Sequence, residues 1–157
     1  MLFVTRLMDI RSRIQKSLAN RTDTVFLRRE FNRFGSRAAV NAALKGLVAQ
    51  GTLMRIGQGI YVKADIGLLT REPVPVEPLG SAAYQALKKL GIPARMGEAW
   101  RVYNLGLTTQ IPAGIVFDTG KRRIARKIGF RGKFVQFENP VTPAIKIFAD
   151  TKQGNRQ

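Results

Sequence analysis

Three polar side chains recur at four-residue intervals in a segment otherwise rich in Ala, Val and Leu: Arg37, Asn41 and Lys45. Residues four apart lie on one face of an α-helix. On such a face Arg can donate two hydrogen bonds to guanine, Asn can pair with adenine, and a small residue such as Ala38 can touch a thymine methyl group. We therefore interpret these four residues as DNA contacts. The alternative is an ordinary solvated helix face, which is the default for these residue types.

A second group of candidate contacts lies in residues 55–59 (RIGQG). Glycines on both sides of Gln58 predict a tight hairpin, whose bare backbone can approach a phosphate or the minor groove of DNA. Arg55 and Gln58 would make these contacts, and Arg28, near the start of a preceding short helix, could bind a backbone phosphate. Each feature also has a plainer explanation, because tight hairpins favour glycine whatever they bind and surface arginines are usually solvated.

The second half of the chain carries two further polar groups. Thr108, Thr109 and Gln110 follow a predicted helix and could bind a ligand, although hydroxyl groups that bond to the backbone of a turn are the plainer interpretation. Seven of the thirteen residues from 121 to 133 are basic, among them Lys121, Arg122, Arg123 and Arg126. This run could bind nucleic-acid phosphate or simply solvate two strands.

The overall charge favours a polyanionic partner. The 157 residues include 27 Lys and Arg against 10 Asp and Glu, which gives a formal net charge of +17. Each phosphate that Lys or Arg neutralises releases condensed counterions, so this excess suits double-stranded DNA. The apolar stretches are too short for a membrane-spanning helix or a signal peptide. We expect a cytoplasmic, nucleoid-associated protein with no membrane partner.

The chain contains no histidine and no cysteine. This excludes disulfides, zinc-finger ligand sets and nucleophiles activated by histidine. The ten acidic residues are scattered, without the spacing of metal ligands or of a pair of catalytic carboxylates. We expect no enzymatic activity, no bound metal and no cofactor.

Periodicity and cap signals predict the elements that position these side chains. A helix of about three turns begins after Asp9, which can cap it. The helix has an apolar residue at every fourth position and leaves Arg11 pointing outward. Gly35 ends a second helix, and Ser36 caps a third. The predicted bounds are helices over 27–34 and 36–50 and strands over 24–26, 52–56 and 60–63. This order is typical of a winged helix-turn-helix, with the third helix as the recognition helix.

A proline-rich stretch divides the chain. Residues 71–78 alternate proline with residues that favour extended backbone, which forbids a helix or a central strand. We predict an α+β fold with a winged helix-turn-helix over residues 1–65, a linker over 66–78 and a small α+β domain over 79–157. In the last unit we expect helices over 80–90 and 97–105 and strands over 114–117, 123–128 and 133–137. Residues 1–65 should bind DNA without the rest of the chain.

Blocks in both halves resemble the AbiEi-like antitoxins of abortive-infection type IV toxin–antitoxin systems. The blocks are residues 25–26, 31–40 (FNRFGSRAAV), 44–53, 55–61 (RIGQGIY) and 97–112, the last of which contains NLGLTTQ at 104–110. The resemblance implies a protein that represses its own promoter through the winged helix. It also implies a C-terminal part that counters a nucleotidyltransferase-like toxin without forming a stable complex with it. The region after Pro112 departs from the family because it is short and unusually basic.

The sequence leaves two classes of nucleic-acid-binding protein open. The first is a sequence-specific repressor, which would bind an inverted-repeat operator as a homodimer. The alternative is a basic RNA-binding or nucleoid-type protein without base specificity. The polar face of the third helix and the glycine-tipped hairpin favour the first class, whereas equal binding to unrelated DNA or RNA would favour the second.

Overall fold

A computed structural model of the chain describes residues 9–138 and has a mixed α+β fold, which confirms the predicted fold class. The helices are α1 (Ile10–Asn20), a 3₁₀ helix (Arg28–Phe34), α2 (Arg37–Ala49), α3 (Leu79–Lys89) and α4 (Glu98–Asn104). The strands are β1 (Val25–Leu27), β2 (Leu53–Gly57), β3 (Ile60–Ile66), β4 (Pro73–Pro75), β5 (Arg95–Met96), β6 (Val116–Asp118), β7 (Gly129–Phe130), β8 (Lys133–Phe134) and β9 (Gln136–Glu138). None of the helices in this part of the chain is both long and apolar enough to span a bilayer.

The local signals of the first half are largely confirmed. Ser36 caps α2, because its side-chain oxygen accepts a hydrogen bond of 3.2 Å from the N–H of Ala39. Gly51, with a φ of +78°, ends this helix in the left-handed conformation that glycine adopts without strain. Two details differ from the prediction. The second helix, Arg28–Phe34, is a 3₁₀ helix, which lies between the extended residues Leu27 and Gly35. Asp9 precedes α1, but its side chain caps nothing.

The main sheet is covered on both sides, by helices on one side and by α3 with the C-terminal strands on the other. β3 pairs antiparallel with β1, β2 and β4. Because side chains alternate along a strand, Phe26 of β1 faces one side of the sheet while Val25 and Leu27 face the other. The Phe26 side packs against α1, the 3₁₀ helix and α2, which bury Ile14, Leu18, Phe31, Val40, Ala43, Leu44 and Leu47.

The other side of the sheet is covered by residues that follow the proline-rich stretch. Val25, Leu27, Ile56, Ile60 and Val62 form one apolar cluster with α3 and the C-terminal strands, through Leu79, Ala82, Ala83, Ala86, Leu87, Ile92, Phe117, Ile128 and Val135. The segment predicted as a linker contributes β4, which pairs with the end of β3. Residues from both sides of the prolines therefore share one core.

The C-terminal half departs from the prediction in two places. Residues 123–128 pair with no strand among the described residues, and the next strand, β7, begins at Gly129. Ile124 and Ile128 would share one face of a strand, but Arg126 lies between them on that face, so the run lacks the two-residue alternation of a half-buried strand. The sequence favours Trp100 and Tyr103 as core residues because they are three apart on a predicted helix, but α4 buries none of its residues. Their rings instead contact each other edge to face, at 6.0 Å between centroids.

Four charged side chains join the start of the 3₁₀ helix to the end of α3. Arg21 contacts Asp23 at 2.8 Å and Glu30 at 2.6 Å, and Lys89 contacts the same two carboxylates at 2.9 and 3.0 Å. The hydrogen bond from Lys89 lowers the pKa of Asp23 to about 2, against burial, which acts in the opposite direction. Burial also opposes ionisation of Glu30, but hydrogen bonds from Leu27, Arg21 and Lys89 outweigh it and lower the pKa of Glu30.

This network predicts a loss of stability in acid. The unfolded chain protonates Asp23 near its ordinary pKa of 3.8, whereas the folded chain holds the ionised form down to about 2. The contribution of Asp23 is therefore fully present above pH 3.8 and is lost as the pH falls through 2. Thermal unfolding at about pH 5 and about pH 2.5 should show a larger decrease in Tm for the wild type than for Asp23→Asn. Equal decreases in the two proteins would show that Asp23 does not carry this effect.

Candidate nucleic-acid interface

A cleft of about 550 Å³ lies between α2 and the β2–β3 hairpin. Its lining consists of Arg28, Arg37, Asn41, Lys45, Val48, Arg55, Gln58, Gly59 and Tyr61. Six of the seven residues that the sequence singles out as DNA contacts therefore line one cleft. The seventh, Ala38, is exposed on α2 but does not line it.

α2 supplies one wall of the cleft, and its pattern explains why. Val40, Leu44 and Leu47 are buried against the sheet, so the polar residues one step away are presented to solvent. Arg37 and Asn41 stand in the first two turns of the helix, where a recognition helix contacts bases. Ala38 and Ala42 are exposed beside them, so no large side chain stands between this part of the helix and a partner.

The hairpin supplies the opposite wall. Gly59 has a φ of +69°, and the register of β2 against β3 shifts between Arg55 and Gly57. Arg55 donates from Nε to the carbonyl of Gly57 at 3.1 Å, which holds its side chain along the hairpin. The N–H of Arg28 donates to the carbonyl of Gly59 at 2.9 Å. This bond fixes the start of the 3₁₀ helix to the hairpin tip and brings Arg28 beside Gln58.

In the described part of the chain, no neighbouring carboxylate neutralises the positive charges of the cleft. Within residues 9–138, no Asp or Glu oxygen lies within 4.0 Å of a charged nitrogen of Arg28, Arg37, Lys45 or Arg55. Arg28 contacts a neutral partner, the Oδ1 atom of Asn32, at 3.1 Å. Uncompensated charge in a concave surface raises the local concentration of anions. The cleft therefore has the chemistry of a site for a polyanion.

Arg11 lies beside α2, although the sequence does not single it out as a DNA contact. Arg11 of α1 lies over Gly46, where an added Cβ atom would be 3.1 Å from both Cδ and Nη1 of the arginine. Arg11 thus contacts α2 at Gly46. The sequence predicts only that Arg11 points outward, because its position depends on the packing of α1 against α2.

The C-terminal candidates fall into two places. Thr108, Thr109 and Gln110 form part of an exposed loop after α4, outside the cleft. The side-chain oxygen of Thr108 accepts a hydrogen bond of 3.2 Å from the N–H of Gln110, the geometry of a local turn. Lys121, Arg122, Arg123 and Arg126 are exposed. The guanidinium of Arg126 reaches the hairpin, where it donates to the carbonyl of Gln58 at 3.4 Å.

Comparison with protein families identifies a family for this chain. A family model described as a family of unknown function, DUF6088, matches residues 10–152. The match begins at the first residue of α1 and extends past β9, so it includes the cleft and the basic run together. No curated protein matches the chain.

Proposed function

The chain belongs to the DUF6088 family, whose function is unknown, and we propose that this member is a sequence-specific DNA-binding repressor of the winged helix-turn-helix type. The observation that carries the proposal is the cleft between α2 and the hairpin, whose four basic side chains have no carboxylate partner among the described residues. Its polar residues have the types that recognise bases and phosphates.

In this proposal α2 is the recognition helix and the β2–β3 hairpin is the wing. Arg37 and Asn41 read base edges in the major groove, where they can pair with guanine and adenine. Lys45 and Arg55 bind backbone phosphates, and the wing tip at Gln58 approaches the minor groove or the neighbouring phosphates. On an inverted-repeat operator, two copies would place their recognition helices about one DNA turn apart.

We also propose that the protein acts by binding and not by catalysis. The sequence supplies no histidine or cysteine. In the part of the chain that the structure describes, the acidic side chains form no group of three that could hold a metal ion. The roles of autoregulating antitoxin and of functional counterpart to a nucleotidyltransferase-like toxin rest on the sequence resemblance alone, and they belong to this proposal as its more specific part.

DNA selection followed by binding measurements tests the repressor function. A pool of duplexes with a random core yields a preferred sequence, and fluorescence anisotropy then compares that duplex with a scrambled one. We expect Arg37→Ala and Asn41→Ala each to weaken binding to the preferred duplex by about 1–3 kcal/mol and to reduce the preference over scrambled DNA. Lys45→Ala and Arg55→Ala should weaken both duplexes by similar factors and lower the salt slope by about one, the effect of one lost phosphate contact.

Lys16→Ala is the matched control, because Lys16 lies on α1 in a different groove, with Arg13, Asn20 and Arg33. It removes one positive charge without touching the cleft, so the preference for the selected duplex should persist. If selection yields no preferred sequence, or if single-stranded RNA binds as tightly as the preferred duplex, the protein belongs to the non-specific class. If Arg37→Ala and Asn41→Ala leave the preference unchanged, α2 is not the recognition helix.

A further inference from the structure

An extended basic segment runs past the tip of the hairpin. Residues 123–127 form no strand, and within residues 9–138 no backbone–backbone hydrogen bond involves them. The carbonyl of Lys127 lies against Gly57, where an added Cβ atom would be only 2.9 Å from that oxygen. Arg126 donates to the carbonyl of Gln58 at 3.4 Å. The absence of a side chain at Gly57 thus allows the segment to approach the hairpin closely.

Hydrophobic anchors hold this segment in place although it lacks a strand partner. Ile128 is fully buried in the cluster on the C-terminal side of the sheet, and Ile124 is partly buried against the same cluster. The start of the segment is fixed by Thr119, whose hydroxyl donates to the carbonyl of Arg122 at 2.8 Å. With these residues directed inward, Arg123, Arg126 and Lys127 are left exposed.

The segment continues the basic surface of the cleft. A second concavity of about 280 Å³ is lined by Leu27, Arg28, Arg29, Gln58, Gly59, Leu90 and Arg126. Three of these residues, Arg28, Gln58 and Gly59, also line the cleft of α2 and the hairpin. The two concavities therefore meet at the hairpin tip and form one surface.

Most of the positive charge of residues 121–133 has no carboxylate partner within the described residues. Of the seven basic residues from 121 to 133, only Arg131 has a carboxylate within 4.0 Å, that of Glu72 at 3.3 Å. Among the residues from 9 to 138, the side chains of Arg122 and Arg126 make hydrogen bonds only to backbone carbonyls, which are neutral. If these basic residues only kept two strands solvated, they would have no reason to lie beside the basic cleft between α2 and the hairpin. A polyanion longer than the cleft would meet both.

We propose that residues 121–127 form a second phosphate-binding arm beside the wing, which holds the DNA backbone outside the base pairs that α2 reads. This inference rests on the proposed function. It extends that proposal by specifying that the protein contacts a longer stretch of duplex than the base pairs that α2 reads. The arm binds phosphate and not base edges, so it increases affinity and salt dependence without changing which sequence is preferred.

The test compares two duplexes, a minimal one that contains only the preferred sequence and one extended by about ten base pairs at each end. We expect the wild type to bind the extended duplex about tenfold more tightly, with a salt slope steeper by about two, which corresponds to two additional phosphate contacts. Arg123→Ala combined with Arg126→Ala should bring the ratio of the two affinities close to one. Both affinities are measured by fluorescence anisotropy at several salt concentrations.

Two further variants separate the arm from charge in general. Arg131→Ala removes a charge from the same run, but this charge is already paired with Glu72. The variant should therefore still bind the extended duplex more tightly than the minimal one, as the wild type does. Gly57→Ala changes no charge but adds a methyl group only 2.9 Å from the carbonyl oxygen of Lys127, which must then move away from the hairpin. This variant should therefore reduce the increase in affinity that the extended duplex gives.

The outcomes distinguish the arm from the proposed function. If the wild type prefers the selected sequence but binds minimal and extended duplexes equally, the arm is disproved and the repressor function stands. The arm is also disproved if the double variant loses affinity for both duplexes by the same factor, or if it loses affinity for single-stranded RNA only. If no sequence is preferred at all, the repressor function fails, whatever the effect of length.

Discussion

A chain that ends at residue 65 is expected to lose both cooperative unfolding and tight binding to DNA. Such a fragment keeps α2 and the hairpin but removes α3 and the C-terminal strands, which cover Val25, Leu27, Ile56, Ile60 and Val62. Exposing five buried aliphatic side chains costs about 10 kcal/mol, which is comparable to the whole stability of a small domain. The sequence alone predicts that residues 1–65 fold and bind DNA without the rest of the chain. The shared core predicts instead that this fragment neither folds cooperatively nor binds DNA tightly.

Circular dichroism during thermal unfolding and anisotropy on the selected duplex measure this effect. The control is the full chain with a protease site in the loop between β3 and β4, where Leu68 and Leu69 are 97% and 98% exposed. Cleavage there breaks the chain without removing any side chain from the core, so the cleaved protein should stay folded and bind. A fragment of residues 1–65 that unfolds cooperatively at the wild-type temperature would show that the N-terminal unit is autonomous.

Phe31→Ala is expected to lower the free energy of unfolding by about 3–5 kcal/mol. Phe31 is fully buried at the centre of the helical layer, and its ring lies 5.9 Å from that of Phe26 and 6.3 Å from that of Phe34. Truncation removes these contacts and leaves a cavity beside the turn that leads into α2. For a chain of this size the Tm should fall by roughly 10 °C.

Phe134→Ala provides the matched control for this substitution. It removes the same atoms, but Phe134 is 51% exposed on β8, so its loss should cost less than about 1 kcal/mol. Chemical denaturation of the two variants gives the comparison directly. Equal destabilisation by the two substitutions would mean that the layer of α1, the 3₁₀ helix and α2 is not packed around Phe31.

Local patterns in the sequence were sufficient to predict the helical elements and the polar face of α2. The hydroxyl cap at Ser36 and the glycine at position 51 bound α2 through contacts that span only a few residues. Arg37, Asn41 and Lys45 share a face because of helix geometry alone. The hairpin is predicted in the same way, because Gln58 has a glycine on each side and lies between two apolar runs. Each of these features depends on neighbours in the chain, so composition and spacing reveal them.

The assembly of the site depended on contacts between distant residues. Arg28 reaches the cleft because its N–H bonds to Gly59, and Arg126 reaches the hairpin because Ile124 and Ile128 pack into the core. The same long-range packing covers one side of the sheet with α3 and leaves residues 123–127 without a strand partner within residues 9–138. Single-residue propensities carry no information on such pairings, because they arise only when side chains from remote segments compete to bury the same apolar surface. The sequence by itself therefore determined the chemistry of each candidate side chain, and the tertiary structure decided which of those side chains share one surface.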